Sequence, residues 1–444
     1  MSQPHQRRQL RTVAVSGLLG TALEFYDFLL YGTLAALVFN KLFFPDLDPA
    51  IGTIASFGTF TAGYLARPLG GVVFGHFGDR LGRKSMLQLT MIIMGVSSFL
   101  IGLLPTYQSI GIWAPICLTV LRAVQGIAVG GEWGGSVLMT AEHADGRRRG
   151  FWSSFTVMGA PLGSLMSTVA VLAVTALPRN EFLSWGWRVP FLASIVLLGV
   201  GLFIRMKVDE SPVFRQAKKT DRTGPPPIVE ILRRPRTLVL TTGIGLGPLV
   251  IQALWSTFIL AYAVQRGHAQ STVLAGLAIG SALQLVTMPA AAALSDRIGR
   301  RPTMLIGAVA TVALAYPTFA LIEAGSTAGL MISLLFGRAV LQVVCYAPWP
   351  AVMAESFGTR SRYTGASLGY QLSSVVGGGF TPLIASSLLT AGKGGIGYVA
   401  AFLAASSVVT VVCVLLIKET RHNDLNATGE EPSQPGTEPA RSEA

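Results

Sequence analysis

The stretch GHFGDRLGRK, residues 75–84, decides how this chain is read, because a shortened copy of it, DRIGRR, returns at 296–301. Asp79 and Asp296 are 217 residues apart, as are Gly82 and Gly299 and also Arg83 and Arg300. Two more landmarks recur in the same order. LRAVQ at 121–125 returns as GRAVLQ at 337–342, with Arg122 and Arg338 offset by 216, and the block from Ala141-Glu142 to Arg149-Gly150 returns from Ala354-Glu355 to Gly365. Offsets this constant mark an internal duplication.

Around these landmarks lie apolar segments long enough to cross a hydrocarbon layer of roughly 30 Å, which takes about 20 helical residues. They fall near 13–39, 51–77, 87–104, 112–141, 151–176 and 188–205, and again near 237–265, 271–294, 303–322, 329–354, 363–389 and 395–417. The pattern predicts an all-α membrane protein of twelve transmembrane helices in two six-helix pseudo-symmetric halves, 1–205 and 237–418. A polar central loop, 206–236, joins them, and a Pro-, Glu-, Ser- and Gly-bearing tail, 419–444, is expected to be disordered. Composition agrees: 51% hydrophobic residues, 13% charged and a mean hydropathy of +0.55 exclude an ordinary water-soluble fold. The 50 glycines let helix backbones approach closely in lipid, where no hydrophobic force separates a neighbouring helix from an acyl chain.

A net charge of +12 in a soluble protein would suggest nucleic acid, but the placement of the basic residues gives another reading. Of the 34 Lys and Arg, 26 fall on the side of the N-terminus and five on the other, which predicts both termini cytoplasmic and no nucleic-acid partner. The basic start, Arg7, Arg8 and Arg11, precedes an apolar run that contains Glu24 and Asp27 and no small-residue cleavage site, so a retained first helix is expected. Cys117, Cys345 and Cys413 stand in apolar runs with no paired spacing and no neighbouring His, which indicates neither a disulfide framework nor a metal site. Neither HExxH nor GxxxxGK[ST] occurs and the five His lie in loops or near the termini, so no enzyme and no cofactor are expected.

The segment 75–84, with its repeat after the eighth helix, resembles the loop motif of the major facilitator superfamily. LEFYDFLLYG (23–32), LARPLGGVVFGHFGDR (65–80), LRAVQGIAVGGEWGG (121–135), WGWRVPFL (185–192) and RYTGASLGYQLSSVVGGGFTP (362–382) resemble its metabolite:proton symporter branch. That branch carries shikimate, 2-oxoglutarate, citrate and proline or glycine betaine; ALVFNKLFFP (36–45) and VVGGGFTP are similar to its shikimate-carrying members. Osmosensing members bear a long coiled-coil tail, whereas this tail is short and without heptads. The resemblance implies a monomeric, proton-coupled importer of a small organic solute in the bacterial inner membrane, with an osmoprotectant symporter as the alternative. A channel or a transporter-like receptor is the alternative of another class.

Ionisable groups within a bilayer are costly, so each is a candidate functional residue. Glu24 and Asp27 lie three apart on one face of the first helix near its middle, and paired carboxylates there suit proton binding. Arg122 reaches a comparable depth and is expected to approach Asp27 or Glu24, either as a proton-coupled pair or as a permanent ion pair. Arg67 and Glu132 are expected to form a second pair, read either as a clamp or as a substrate contact; the partner of Arg338 is open between a substrate anion and backbone carbonyls. Tyr26, Tyr31, Gln125, Trp133, Trp255, Gln342 and Tyr370 complete a candidate cavity that would orient a small polar solute.

In the loop motifs, Asp79 is placed to cap a helix of the other half while Arg83 pairs with an acid near the fourth helix, latching one state. Gly75, Arg80 and Gly82 belong to the same motif, and Asp296, Arg297, Gly299 and Arg300 repeat it. Pro348, Pro350 and Gly377–Gly379 are expected points of bending.

Overall fold

The computed structural model describes residues 3–207, 227–233, 235–359, 361–423 and 425. Twelve long helices cross between two faces. In the first half they are α1 (Gln3–Leu34, prolonged by a π-helical turn Ala35–Phe39), α2 (Pro49–Leu81), α3 (Arg83–Leu103), α4 (Trp113–His143), α5 (Arg149–Thr175) and α6 (Val189–Met206). In the second they are α7 (Pro235–Phe258, continued to residue 265), α8 (Gln270–Ile298), α9 (Arg300–Glu323), α10 (Thr327–Ser356), α11 (Arg362–Ala391) and α12 (Gly397–Leu416). Eleven are long and apolar enough to span a membrane; α2, at 33 residues, is long enough but is diluted by Arg67 and seven glycines.

The boundaries fall where backbone chemistry puts them. Gly82 and Gly299 turn the chain between α2 and α3 and between α8 and α9 with φ of 123° and 109°, a region closed to most L-residues. π-helical turns interrupt α7 at Leu254–Phe258, α10 at Gly337–Gln342 and α11 at Val375–Gly379, and α10 breaks again ahead of Pro348. Among the described residues, three of the four π-helical turns thus lie in the second half, and one carries Arg338 and Gln342. Such turns cluster at functional positions.

The halves meet through α2 and α4 against α11, and through α5 against α8. Their packing is uneven along the bundle. One apolar cluster, with Phe74, Trp133, Trp349, Tyr363 and Tyr370, draws on both halves and lies toward the face where the chain begins and α12 ends. Toward the opposite face each half keeps its own cluster, around Phe39, Trp187 and Phe191 in the first and around Trp255, Tyr262 and Phe319 in the second. The bundle is therefore joined at the terminal face and parted at the other.

Two sequence expectations change here. Arg205, counted among the loop charges, points into the first half with 2% exposure, which leaves 25 basic residues against five. The tail expected to be disordered from 419 is ordered as far as residue 423 and at Leu425, where it lies against the terminal face; 426–444 fall outside the described residues. Of the central loop, 227–233 form a short helix, and 208–226 fall outside the described residues.

Candidate functional site

At the terminal face the halves are tied by two copies of one arrangement. Asp79, at the end of α2, accepts from the backbone N–H groups of Tyr363 and Thr364 at 3.2 and 3.1 Å and from the Thr364 hydroxyl at 2.9 Å, so it caps α11 of the other half. Asp296, at the end of α8, accepts from the N–H groups of Gly150 and Phe151 at 2.9 and 2.8 Å and caps α5. A carboxylate at a helix N-terminus meets both unpaired donors and the positive end of the helix dipole. Beside each cap lies a buried acid shared by two arginines, one from each half. Glu142 pairs with Arg83 and, at 3.0 Å, with Arg362; Glu355 pairs with Arg300 at 3.2 Å and Arg149 at 3.1 Å. Gly75 lets α2 approach α11 so closely that a Cβ there would sit 2.7 Å from Thr364 Cα. Arg80 and Arg297 are exposed, and Arg297 joins through its carbonyl, which accepts from Arg421.

The chain after α12 adds a strap across this latch. Glu419 accepts from the N–H groups of Arg300 and Arg301, both at 3.0 Å, and caps α9. Thr420 donates to Glu355, and the backbone carbonyls of Asn423 and Leu425 accept from Arg149 and Arg362 at 3.2 and 3.1 Å. Neither the strap nor the pairing of Arg149 and Arg362 is anticipated by the sequence reading, which follows acids and the glycine-bearing motif.

Above the latch, a cavity of about 770 Å³ including its open mouth lies between the halves. Its floor is Tyr370, stacked on Trp133 of the other half with ring centroids 3.8 Å apart and planes 8° from parallel, and flanked by Trp349. From there it extends toward the face opposite the latch, with the exposed Thr257 at its rim. Rings of Phe25, Phe28, Phe60 and Tyr64 form one wall; Gln252, Gln284 and Gln342 face them from the second half. Among the described residues, the charged side chains that line it are Arg67 and Arg338, with no carboxylate.

The two arginines are held differently. Arg67 Nη1 is 3.5 Å from Glu24 Oε1 and 3.4 Å from Ser374 Oγ, and its guanidinium lies 4.4 Å from the ring centres of both Phe28 and Tyr64. Arg338 donates to Gln284 Oε1 at 3.2 Å and to Ser164 Oγ of the other half at 3.4 Å. Gln284 in turn donates to Gln342 Oε1 at 2.9 Å and to the Arg338 carbonyl.

The matches with known proteins agree with this architecture. The chain matches the family model described as Major Facilitator Superfamily over residues 17–378 and 283–443. It belongs to that superfamily. It is 42% identical over 418 residues to the shikimate transporter of Escherichia coli (strain K12), covering 93% of this chain and 95% of that protein. It is 34% identical over 436 residues to the proline/betaine transporter of the same organism, covering 94% and 85%. Among solved structures, the proton:xylose symporter XylE bound to 6-bromo-6-deoxy-D-glucose superposes with a TM-score of 0.75 at 18% identity, covering 95% of this chain and 98% of that one. The chain is thus a multi-pass membrane transport protein of the major facilitator superfamily, a secondary transporter and not an enzyme.

On this superfamily scaffold several expected pairings are replaced. Arg122 forms no ion pair with Asp27 or Glu24; its guanidinium rests on the rings of Phe28 and Tyr31 at 4.3 and 4.4 Å, with Phe60 at 5.3 Å. It reaches Asp27 only through neutral groups. Arg122 donates to Gln125 Oε1 at 3.1 Å, Gln125 donates to Ser98 Oγ at 2.6 Å, and the Ser98 hydroxyl bonds the Asp27 carboxylate. Counting charges by depth cannot see this, because the rings and amides that take the arginine carry no formal charge. Glu132 does not meet Arg67; it accepts two hydrogen bonds from Arg205, at 2.8 and 2.6 Å, and one from Thr90 at 2.9 Å, well inside the first half.

Of the aromatic and amide candidates, Gln342 and Tyr370 line the cavity and Trp133 lies beneath its floor. The others turn away. Tyr26 donates to the Pro190 carbonyl at 2.9 Å, Tyr31 bonds Thr59 at 2.5 Å, Trp255 donates to the Ser333 carbonyl at 3.2 Å, and Gln125 serves the Asp27 relay. Gln284, Gln252, Ser164 and Tyr64 line the cavity unanticipated. Gln284 had a readable signal: it is the lone amide in the membrane-deep part of α8.

Proposed function

We propose that the chain imports a small organic carboxylate, such as shikimate or a dicarboxylate, across the inner membrane by proton symport, as a monomer whose halves rock about the cavity. The observation that carries this reading is a central cavity with two arginines in its lining and no carboxylate. Arg338 has neutral partners alone, and Arg67 has Glu24 only behind it, so the lining attracts an anion, and an anion beside Arg338 relieves its desolvation.

The acids suited to carry a proton stand one layer behind, on α1. Glu24 touches Arg67 and has no hydrogen-bond donor among the described residues; Asp27 has one unpartnered oxygen and the Ser98–Gln125 relay toward Arg122. A proton on Glu24 cancels the charge that holds Arg67, and a proton on Asp27 acts toward Arg122 through the relay, so proton and substrate occupancy become linked through the Arg67 guanidinium that lines the cavity. The moving units are 1–205 and 237–418, joined by 206–236, with the latch closing the face that carries the termini. The basic bias, 25 against five, supports a cytoplasmic position for that face and an outward opening for the cavity.

Uptake of radiolabelled shikimate, 2-oxoglutarate and glycine betaine by cells expressing the chain, each with and without a protonophore, tests this beside Asp27→Asn. Protonophore-sensitive uptake of an acid, lost in the variant, is expected. Uptake of betaine alone would move the substrate to the osmoprotectants, and flux indifferent to the protonophore would remove proton coupling.

A further inference from the structure

Resting on the carboxylate reading, we infer that the cavity takes one negative charge, not two, and that Arg338 is the residue that receives it; the fitting ligand is a cyclic monocarboxylate bearing hydroxyl groups. The two cationic positions are not equivalent. Arg67 already has its counter-charge, Glu24, 3.5 Å away, and its faces are covered by Phe28 and Tyr64. Arg338 is 7% exposed and has no carboxylate within ion-pairing distance among the described residues; its partners are the neutral Gln284 and Ser164. A guanidinium buried with neutral partners alone is the cheapest place to seat a carboxylate, since the ligand relieves a charge already desolvated.

A second carboxylate would have to take Arg67 from Glu24. That would leave the Glu24 carboxylate buried with no donor, because neither of its oxygens has another hydrogen bond. While Glu24 is ionised and paired with Arg67, the cavity therefore selects against dicarboxylates by charge.

The hydroxyl groups follow from a separate observation. Gln252 lines the cavity, and its buried Oε1 has no hydrogen-bond donor among the described residues, an acceptor that a turn of the side chain can offer to a ligand O–H. The facing wall of Phe25, Phe28 and Phe60 gives a compact carbon skeleton apolar surface to lie against.

Binding to the purified full-length chain, measured by titration calorimetry, tests this with shikimate, its methyl ester, 2-oxoglutarate and glycine betaine. Shikimate is expected to bind at least tenfold tighter than the ester or 2-oxoglutarate. Arg338→Gln should weaken shikimate by about ten- to a hundredfold, the span of a lost charged hydrogen bond, and abolish the preference for acid over ester, with a cooperative unfolding transition in detergent showing that the variant is folded. Arg338→Lys should keep the preference for acid over ester. Gln252→Leu should weaken acid and ester alike.

Binding of 2-oxoglutarate as tight as that of shikimate, or an acid-over-ester preference that survives Arg338→Gln, would overturn the single-anion site and leave carboxylate transport standing. A response to glycine betaine alone would sink the carboxylate reading itself.

Discussion

The two halves copy one another at the terminal face and diverge in the middle. Asp79 and Asp296, Glu142 and Glu355, Arg83 and Arg300, and Arg362 and Arg149 fill matching places in the latch. Deeper in, the first half buries Glu24, Asp27 and Glu132 with Arg67, Arg122 and Arg205, while the second sets a single arginine, Arg338, among Gln252, Gln284 and Gln342. Arg122 and Arg338 are duplicated positions with different fates, one on aromatic rings and one in the cavity. Duplication is retained where the halves are latched together and is lost where, on the proposed mechanism, one would handle protons and the other the solute.

The largest expected effect breaks a buried pair of the first half that lies apart from the latch. Arg205→Ala strands the Glu132 carboxylate between α4 and α3, and loss of one partner of a buried pair costs about 3–5 kcal/mol. Thermal unfolding in detergent should show it, whereas an unchanged midpoint would mean that the pair is not what secures the first half. Next comes the division of labour. Asp27→Asn should collapse proton-driven accumulation to near equilibrium while exchange of solute continues, and Gln342→Ala should raise KM roughly tenfold, about one hydrogen bond, with accumulation still protonophore-sensitive. Coupling lost in the Gln342 variant would erase the contrast between halves.

The latch makes a smaller, symmetric prediction. Asp79→Asn and Asp296→Asn each weaken a helix cap that joins the halves, by about 1–2 kcal/mol, so both should raise reactivity of cysteines placed at the terminal face to a similar degree. A one-sided response would show that the copies are not mechanically equal. The least effect concerns Glu419. Partial burial acts to raise its carboxyl, but the backbone donors of Arg300, Arg301, Arg421 and Thr420 outweigh that and hold it below the ordinary 4.5. A carboxyl depressed by folding stabilises above its unfolded pKa and loses that contribution as pH falls through the folded one. Strap contacts should therefore be intact above about pH 4.5 and loosen below it, and Glu419→Gln should flatten that dependence in a pH series of unfolding midpoints.

Twelve helices and the two-half plan are legible in the sequence, because span length and apolar content are local properties and the repeated motif fixes the duplication. The acids and arginines of the site are legible as a set, but their pairings are not. Arg205 ends an apolar run and so reads as a loop charge, although its guanidinium folds back to Glu132. Arg122 is satisfied by rings on α1 and α2, and Tyr26 by a carbonyl of α6, partners that depend on helix rotation. Rotation is set by packing across the whole bundle and leaves no trace in any one segment.

The strap has an implication for how the tail can vary. Arg149 and Arg362 grip it by the carbonyl oxygens of Asn423 and Leu425, groups that every amino acid possesses. What they read is the number of residues from the Glu419 anchor, not their kinds. The kinds are fixed by other contacts, since Asn423 Nδ2 donates to the Glu355 carbonyl at 3.0 Å and Leu425 is buried in the apolar cluster that the halves share, and a single inserted residue between 419 and 423 would shift the carbonyl pair out of step with both arginines and draw these side chains from their places as well.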